Sequence, residues 1–150
     1  MQMILKRLKK EEKGFTLIEL LAVIVILAVI AVIAIPLIGR IIDNTKQDAD
    51  VATARQVYDA ARLYVTGELD GDFNGADDSG LTVTVDSLIT AGYLAPDTVL
   101  PSTKGALTRA TSTVTFDATG TLTLVTFYAT GLDGEKEISA ANILEGKADR

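Results

Sequence analysis

The chain of 150 residues contains no cysteine, no histidine and no tryptophan. Without cysteine, no disulfide supports its core. Without histidine or cysteine, a Ser-His-Asp triad, a Cys-His pair and a histidine-ligated metal are all excluded. Aromatic residues make up only 5% of the chain and are scattered from Phe15 to Tyr128. They form no row on which bases could stack, and they read as packing residues. Pairs of carboxylates exist, but the sequence singles out none for acid-base work. The residue supply argues against an enzyme.

What is abundant is apolar surface and acidic charge. The formal net charge is −6. It is unevenly spread. Lys6, Arg7, Lys9, Lys10 and Lys13 face only Glu11 and Glu12 within residues 1–14, a local net of +3, so the rest of the chain carries −9. An acidic body excludes nonspecific binding to nucleic acid, which needs a cationic surface. A basic start beside an apolar run marks a cytoplasmic flank by the positive-inside rule.

Four zones follow along the chain. Residues 1–14 are a basic leader. Residues 15–38 are almost wholly apolar, broken by Thr16, Glu19 and Pro36. Residues 39–66 have the pattern of an amphipathic helix. Residues 67–150 are rich in Gly, Asp, Thr and Val. The apolar zone is about the length of a membrane span. A secretory signal would be cut after its apolar core, near small residues. Here Ile35-Pro36-Leu37-Ile38 runs on into a helical pattern, so the apolar segment stays on the mature chain.

Val51, Ala54, Tyr58, Ala61 and Val65 recur at three- and four-residue spacing and share a helix face. Val57 and Tyr64 widen it. Asp50, Thr53, Gln56, Asp59 and Arg62 fall on the polar side. Arg55 with Asp59, and Asp59 with Arg62, are spaced to pair across one turn. Gly67 is the expected stop. A helix from Phe15 to Thr66 would be about 78 Å long at about 1.5 Å per residue. That far exceeds a bilayer, so its second half must bury its stripe on the C-terminal zone. Pro36 leaves the carbonyl of Val32 without its helical partner. That implies a kink or a meltable stretch near 32–40, or simply a proline at the membrane boundary.

The C-terminal zone reads as a small antiparallel sheet. Thr113 to Phe116 and Thr121 to Ala129 alternate and are joined through Asp117-Ala118-Thr119-Gly120, a hairpin turn signal. Gly131 to Gly134 is a second turn before a strand over Glu135 to Ser139. Val83 to Thr90 is a shorter element, helical from Val85 with Asp86 as a cap. Residues 145–150 read as a frayed polar tail. The expected fold class is α+β, a long N-terminal helix packed on a small antiparallel head.

The junction Lys13-Gly14-Phe15-Thr16-Leu17-Ile18-Glu19 carries the chemistry. Glu19 lies inside the apolar run. An ionised carboxylate at membrane depth is costly, and such a residue normally has a partner and a function. No lysine or arginine lies between Phe15 and Ile38. Cutting the Gly14–Phe15 bond would create a free amine one helical turn away. That amine could pair with Glu19 of its own chain or of an adjacent one.

These residues resemble the type IV pilin and pseudopilin family. The resemblance covers Lys13 to about Ile38. It includes the basic leader, Gly14, Phe15, Glu19, the long apolar segment and Pro36. It implies that prepilin peptidase, a membrane aspartyl protease, removes residues 1–14 and that Phe15 becomes N-methylated. It makes Glu19 the registering carboxylate and Pro36 a point where the helix bends or melts on assembly. It further implies a pilin fold, a single-pass stage in the cytoplasmic membrane with the head outside, a platform protein, an assembly ATPase and a cell-surface filament built from copies of the chain. Ser87 to Leu94, with Gly92-Tyr93-Leu94, is similar to a helix-turn element of pilin-like heads. The missing disulfide fits cysteine-poor members.

Within that family the chain is expected to be a pilus subunit. The alternatives are a pseudopilin of a type II secretion or competence DNA-uptake machine, and a membrane-anchored binding module that does not polymerise. One signal lies outside the resemblance. Asp70-Gly71-Asp72-Phe73-Asn74-Gly75 matches the opening of a calcium loop, and Asp78 falls at its ninth position. Leu81 stands where a bidentate glutamate belongs. Asp70, Asp72, Asn74 and Asp78 are thus candidate Ca2+ ligands, with a solvated acidic turn as the simpler reading.

Overall fold

The computed structural model describes residues 16–75 and 78–149. The chain divides into two compact units, residues 1–41 and 42–150. Helix α1 spans Leu17–Glu68. Then follow β1 (Leu81–Thr84), α2 (Val85–Thr90), β2 (Val99–Leu100), β3 (Gly105–Ala106), β4 (Thr113–Phe116), β5 (Leu122–Phe127), β6 (Lys136–Ser139) and α3 (Ala140–Glu145). The fold is α+β, as the patterns predict.

In the first unit the helix is apolar all round. Every large apolar side chain from Leu17 to Ile42 is at least 49% exposed. Helix α1 is the one helix among the described residues that is long and apolar enough to cross a membrane. The backbone stays helical through Pro36. No melted stretch interrupts residues 32–40 in this state of the chain.

In the second unit the helix becomes one-sided. Val51, Ala54, Val57, Tyr58, Ala61 and Val65 are buried. They form one core with Val83, Val114, Phe116, Val125, Phe127 and Ile138 from the inner face of the sheet. The sheet order is β1-β4-β5-β6, antiparallel throughout. Alternation places Val114 beside Val83 and Val125, and Val125 beside Ile138. The rings of Phe73 and Phe116 lie 5.1 Å apart, and those of Tyr58 and Phe116 5.9 Å apart. β2 and β3 form a separate two-stranded ribbon.

The β4–β5 turn is built as its residues suggest. Oδ1 of Asp117 accepts from the amides of Thr119 and Thr121, both at 2.9 Å, and from the Thr119 hydroxyl at 2.6 Å. Those bonds hold its carboxyl below the usual range, the Thr119 hydroxyl first. Gly120 has φ 80°, and a Cβ there would strike the Phe73 ring.

Several boundaries differ from expectation. Gly67 does not end α1. It lies within the helix, where a side chain would collide with the Tyr93 hydroxyl. The chain turns at Asp70 and Gly71, both left-handed with φ 53° and 78°, and the Gly71 amide donates to the Val65 carbonyl at 2.9 Å. The cap of α2 is Thr84, not Asp86. The Thr84 hydroxyl accepts from the Ser87 amide at 3.2 Å, and Asp86 sits in the first turn. Residue 84 is the last extended position, where a short hydroxyl can fold back on the helix. Arg62 passes over Asp59 and donates to the Tyr58 hydroxyl at 3.1 Å, whereas Arg55 does pair with Asp59 at 3.7 Å.

The tail is also more ordered than expected. Ser139 caps α3, Ile143 is fully buried, and Gly146 ends the helix at φ 71°. The Ile143 carbonyl accepts from Arg55 at 3.2 Å, and the Ala148 amide donates to Asp48 at 3.1 Å. A single buried isoleucine with a serine cap is too short a signal for periodicity to reveal.

Candidate functional site

Gly14 and Phe15, the expected cleavage pair, lie outside the described residues. The first described residue, Thr16, stands at the start of α1. Its side chain and Glu19 bind each other. The Thr16 amide donates to Glu19 Oε2 at 2.8 Å, the Thr16 hydroxyl donates to the same oxygen at 3.0 Å, and the Glu19 amide donates to the Thr16 hydroxyl oxygen at 3.3 Å. This is a capping box, in which the first turn satisfies its own orphan donors. The sequence signal was Thr-x-x-Glu at the head of an apolar run. Reading Glu19 only as a charge in need of a cation overlooked it.

The capping box changes the chemistry available to Glu19. Its carboxylate is partly satisfied without a second chain. It remains at the surface of an otherwise apolar helix segment. Pro36, the second assembly residue predicted, lies in the same unit. It is exposed and shares a shallow groove with Ile33, Leu37 and Arg40.

The calcium candidates behave differently. Asp70 takes part in the chain reversal after α1. Asp72 Oδ1 accepts the Asn74 amide at 2.9 Å, a local turn. Asp78 has φ 53°. Phe73 points into the core against Phe116. Among the described residues no group of three or more acidic side chains is arranged to hold a metal ion. Asp77 is not among them. Asp70, Asp72 and the partly buried Phe73 ring thus have local roles in chain reversal, an aspartate turn and core packing.

The head holds one polar feature that sequence reasoning placed on the wrong face. Asp50 is fully buried. It pairs with Lys136 of β6, and its other oxygen accepts the Ser102 amide at 2.8 Å. The node joins α1, the β2–β3 loop and β6 within the second unit. Asp50 directly precedes Val51 of the buried stripe, and only a lysine 86 residues away explains its burial.

Residues 9–35 match the family model described as the prokaryotic N-terminal methylation motif. No curated protein and no solved structure matches the chain significantly. The matched segment includes Glu19 and most of the apolar stretch of α1, the helix long and apolar enough to cross a membrane. That match supports the resemblance to type IV pilins and pseudopilins over the N-terminal segment.

Proposed function

We propose that the chain is a pilus subunit, cut between Gly14 and Phe15, N-methylated on Phe15 and polymerised through α1 into an extracellular filament. The observation that carries this is the state of residues 17–42. A helix with every large apolar side chain exposed needs lipid or like helices around it, and one carboxylate stands near its start. In the bilayer the helix satisfies its own backbone and meets acyl chains. On assembly, contacts with other copies replace those lipid contacts without exposing the helix to water. Glu19 then exchanges its Thr16 donors for the amine of a neighbour's Phe15, which fixes axial register. Partners in this reading are prepilin peptidase, a platform protein and an assembly ATPase. The head lies outside the cytoplasm.

The test is filament formation. Glu19→Ala should leave cleavage intact and abolish filaments in electron micrographs of sheared cells. Filaments of normal length and number from that variant would contradict the role. A pseudopilin of a secretion or DNA-uptake system shares the same N-terminal chemistry. Loss of secretion or transformation on deletion, with no long filaments in the wild type, would assign the chain there instead.

A further inference from the structure

The groove at Pro36 faces a chemistry that filament packing alone does not use. Ile33, Pro36, Leu37 and Arg40 line it, and all four are exposed. Spacings of three, four and seven put them on one helix face. The ring of Pro36 replaces an amide, so the wall is apolar with one cation at its end. No hydrogen-bond or ion-pair partner engages the Arg40 side chain among the described residues. Asp43, the nearest carboxylate in sequence, is engaged by Lys46 at 4.0 Å.

Arg40 lies two residues beyond the 15–38 apolar segment, at the level where hydrocarbon gives way to headgroups. Side chains on a helix lean toward its N-terminus, so the Arg40 stem lies over Pro36 and Leu37. A guanidinium there is matched by a planar pair of phosphate oxygens. The apolar wall below is matched by an acyl chain. Charge and polarity are therefore complementary to one ligand class, a glycerophospholipid of the outer leaflet of the same membrane. We propose that this groove is a phospholipid site, with the phosphate on Arg40 and the acyl chain along Ile33, Pro36 and Leu37. The proposal rests on the membrane stage of the function above, but it does not require polymerisation.

The experiment uses the full chain purified from membranes in mild detergent, with bound phospholipid counted by native mass spectrometry. The wild type is expected to retain about one phospholipid. Arg40→Gln is expected to weaken retention about tenfold or more, the scale of a charge-assisted bond. Arg40→Lys should keep part of it, and Lys147→Gln, an exposed cation outside the groove, should match the wild type. Reloading with phosphatidylglycerol and with phosphatidylcholine separates recognition of the phosphate from recognition of net negative charge. Equal retention by wild type and Arg40→Gln, or equal loss in Lys147→Gln, would overturn the proposal in favour of annular lipid only. A wild type that retains lipid yet forms no filament would contradict the pilus reading and leave this site standing.

Discussion

Glu19 Oε2 lies 2.8 Å from the Thr16 amide nitrogen and 3.0 Å from the Thr16 hydroxyl. The carboxylate expected to pair with a new amine of its own or of an adjacent chain has a local partner in Thr16. That makes Thr16 a positioning residue for Glu19. Thr16→Val removes the hydroxyl and keeps the volume, whereas Thr16→Ser keeps the hydroxyl. With cleavage measured separately, Thr16→Val should reduce filament yield and Thr16→Ser should resemble wild type. Equal yields from both variants would show that the hydroxyl does not matter.

The buried Asp50–Lys136 pair should dominate the stability of the head. Asp50→Ala strands a lysine and the Ser102 amide and should cost about 3–5 kcal/mol. The double change Asp50→Leu with Lys136→Met removes both charges and should recover part of that loss. Denaturant unfolding of the full chain in detergent, followed by a head signal, checks both values.

The β4–β5 turn should give an acid limb to stability. The carboxyl of Asp117 is held below its usual value by Thr119 and Thr121. Its contribution is therefore fully present above the unfolded value of about 3.9 and is lost as pH falls through the lower folded value. Asp117→Asn should be less stable than wild type at neutral pH and should lose less stability on acidification from pH 5 downward. Parallel pH profiles for the two proteins would contradict this.

The C-terminal helix should be structural rather than frayed. Ile143 is fully buried, and Ile143→Ala should cost about 2–5 kcal/mol by cavity formation. Leu144, which is 60% exposed, serves as control. Leu144→Ala should change the melting temperature little.

Much of this architecture was legible because it follows from period and composition. The Val51–Val65 stripe, the alternation of β4 and β5 and the Asp117–Gly120 turn each express a local rule. What escaped depends on long-range partners or on single short-range bonds. Asp50 is polar, and its burial is intelligible only through Lys136 and Ser102. Gly67 resembles a helix stop, yet it is needed because Tyr93 packs over it. The helix begins at Val85 as expected, and Thr84 rather than Asp86 caps it because Thr84 is the last extended residue and Asp86 already lies in the first turn. The calcium motif rests on residue type, and within it Asp70 takes part in chain reversal while Asp72 closes a local turn on the Asn74 amide. At the N-terminus, the methylation motif was explicit in the sequence. The Thr16–Glu19 capping box was present in the same letters and hidden by attention to charge.

The most direct measurement is mass spectrometry of the N-terminal peptide of protein taken from its native envelope. The account predicts a chain that starts at N-methylated Phe15, with residues 1–14 gone. A chain that still begins at Met1, or that has been trimmed beyond Ile38, would contradict it.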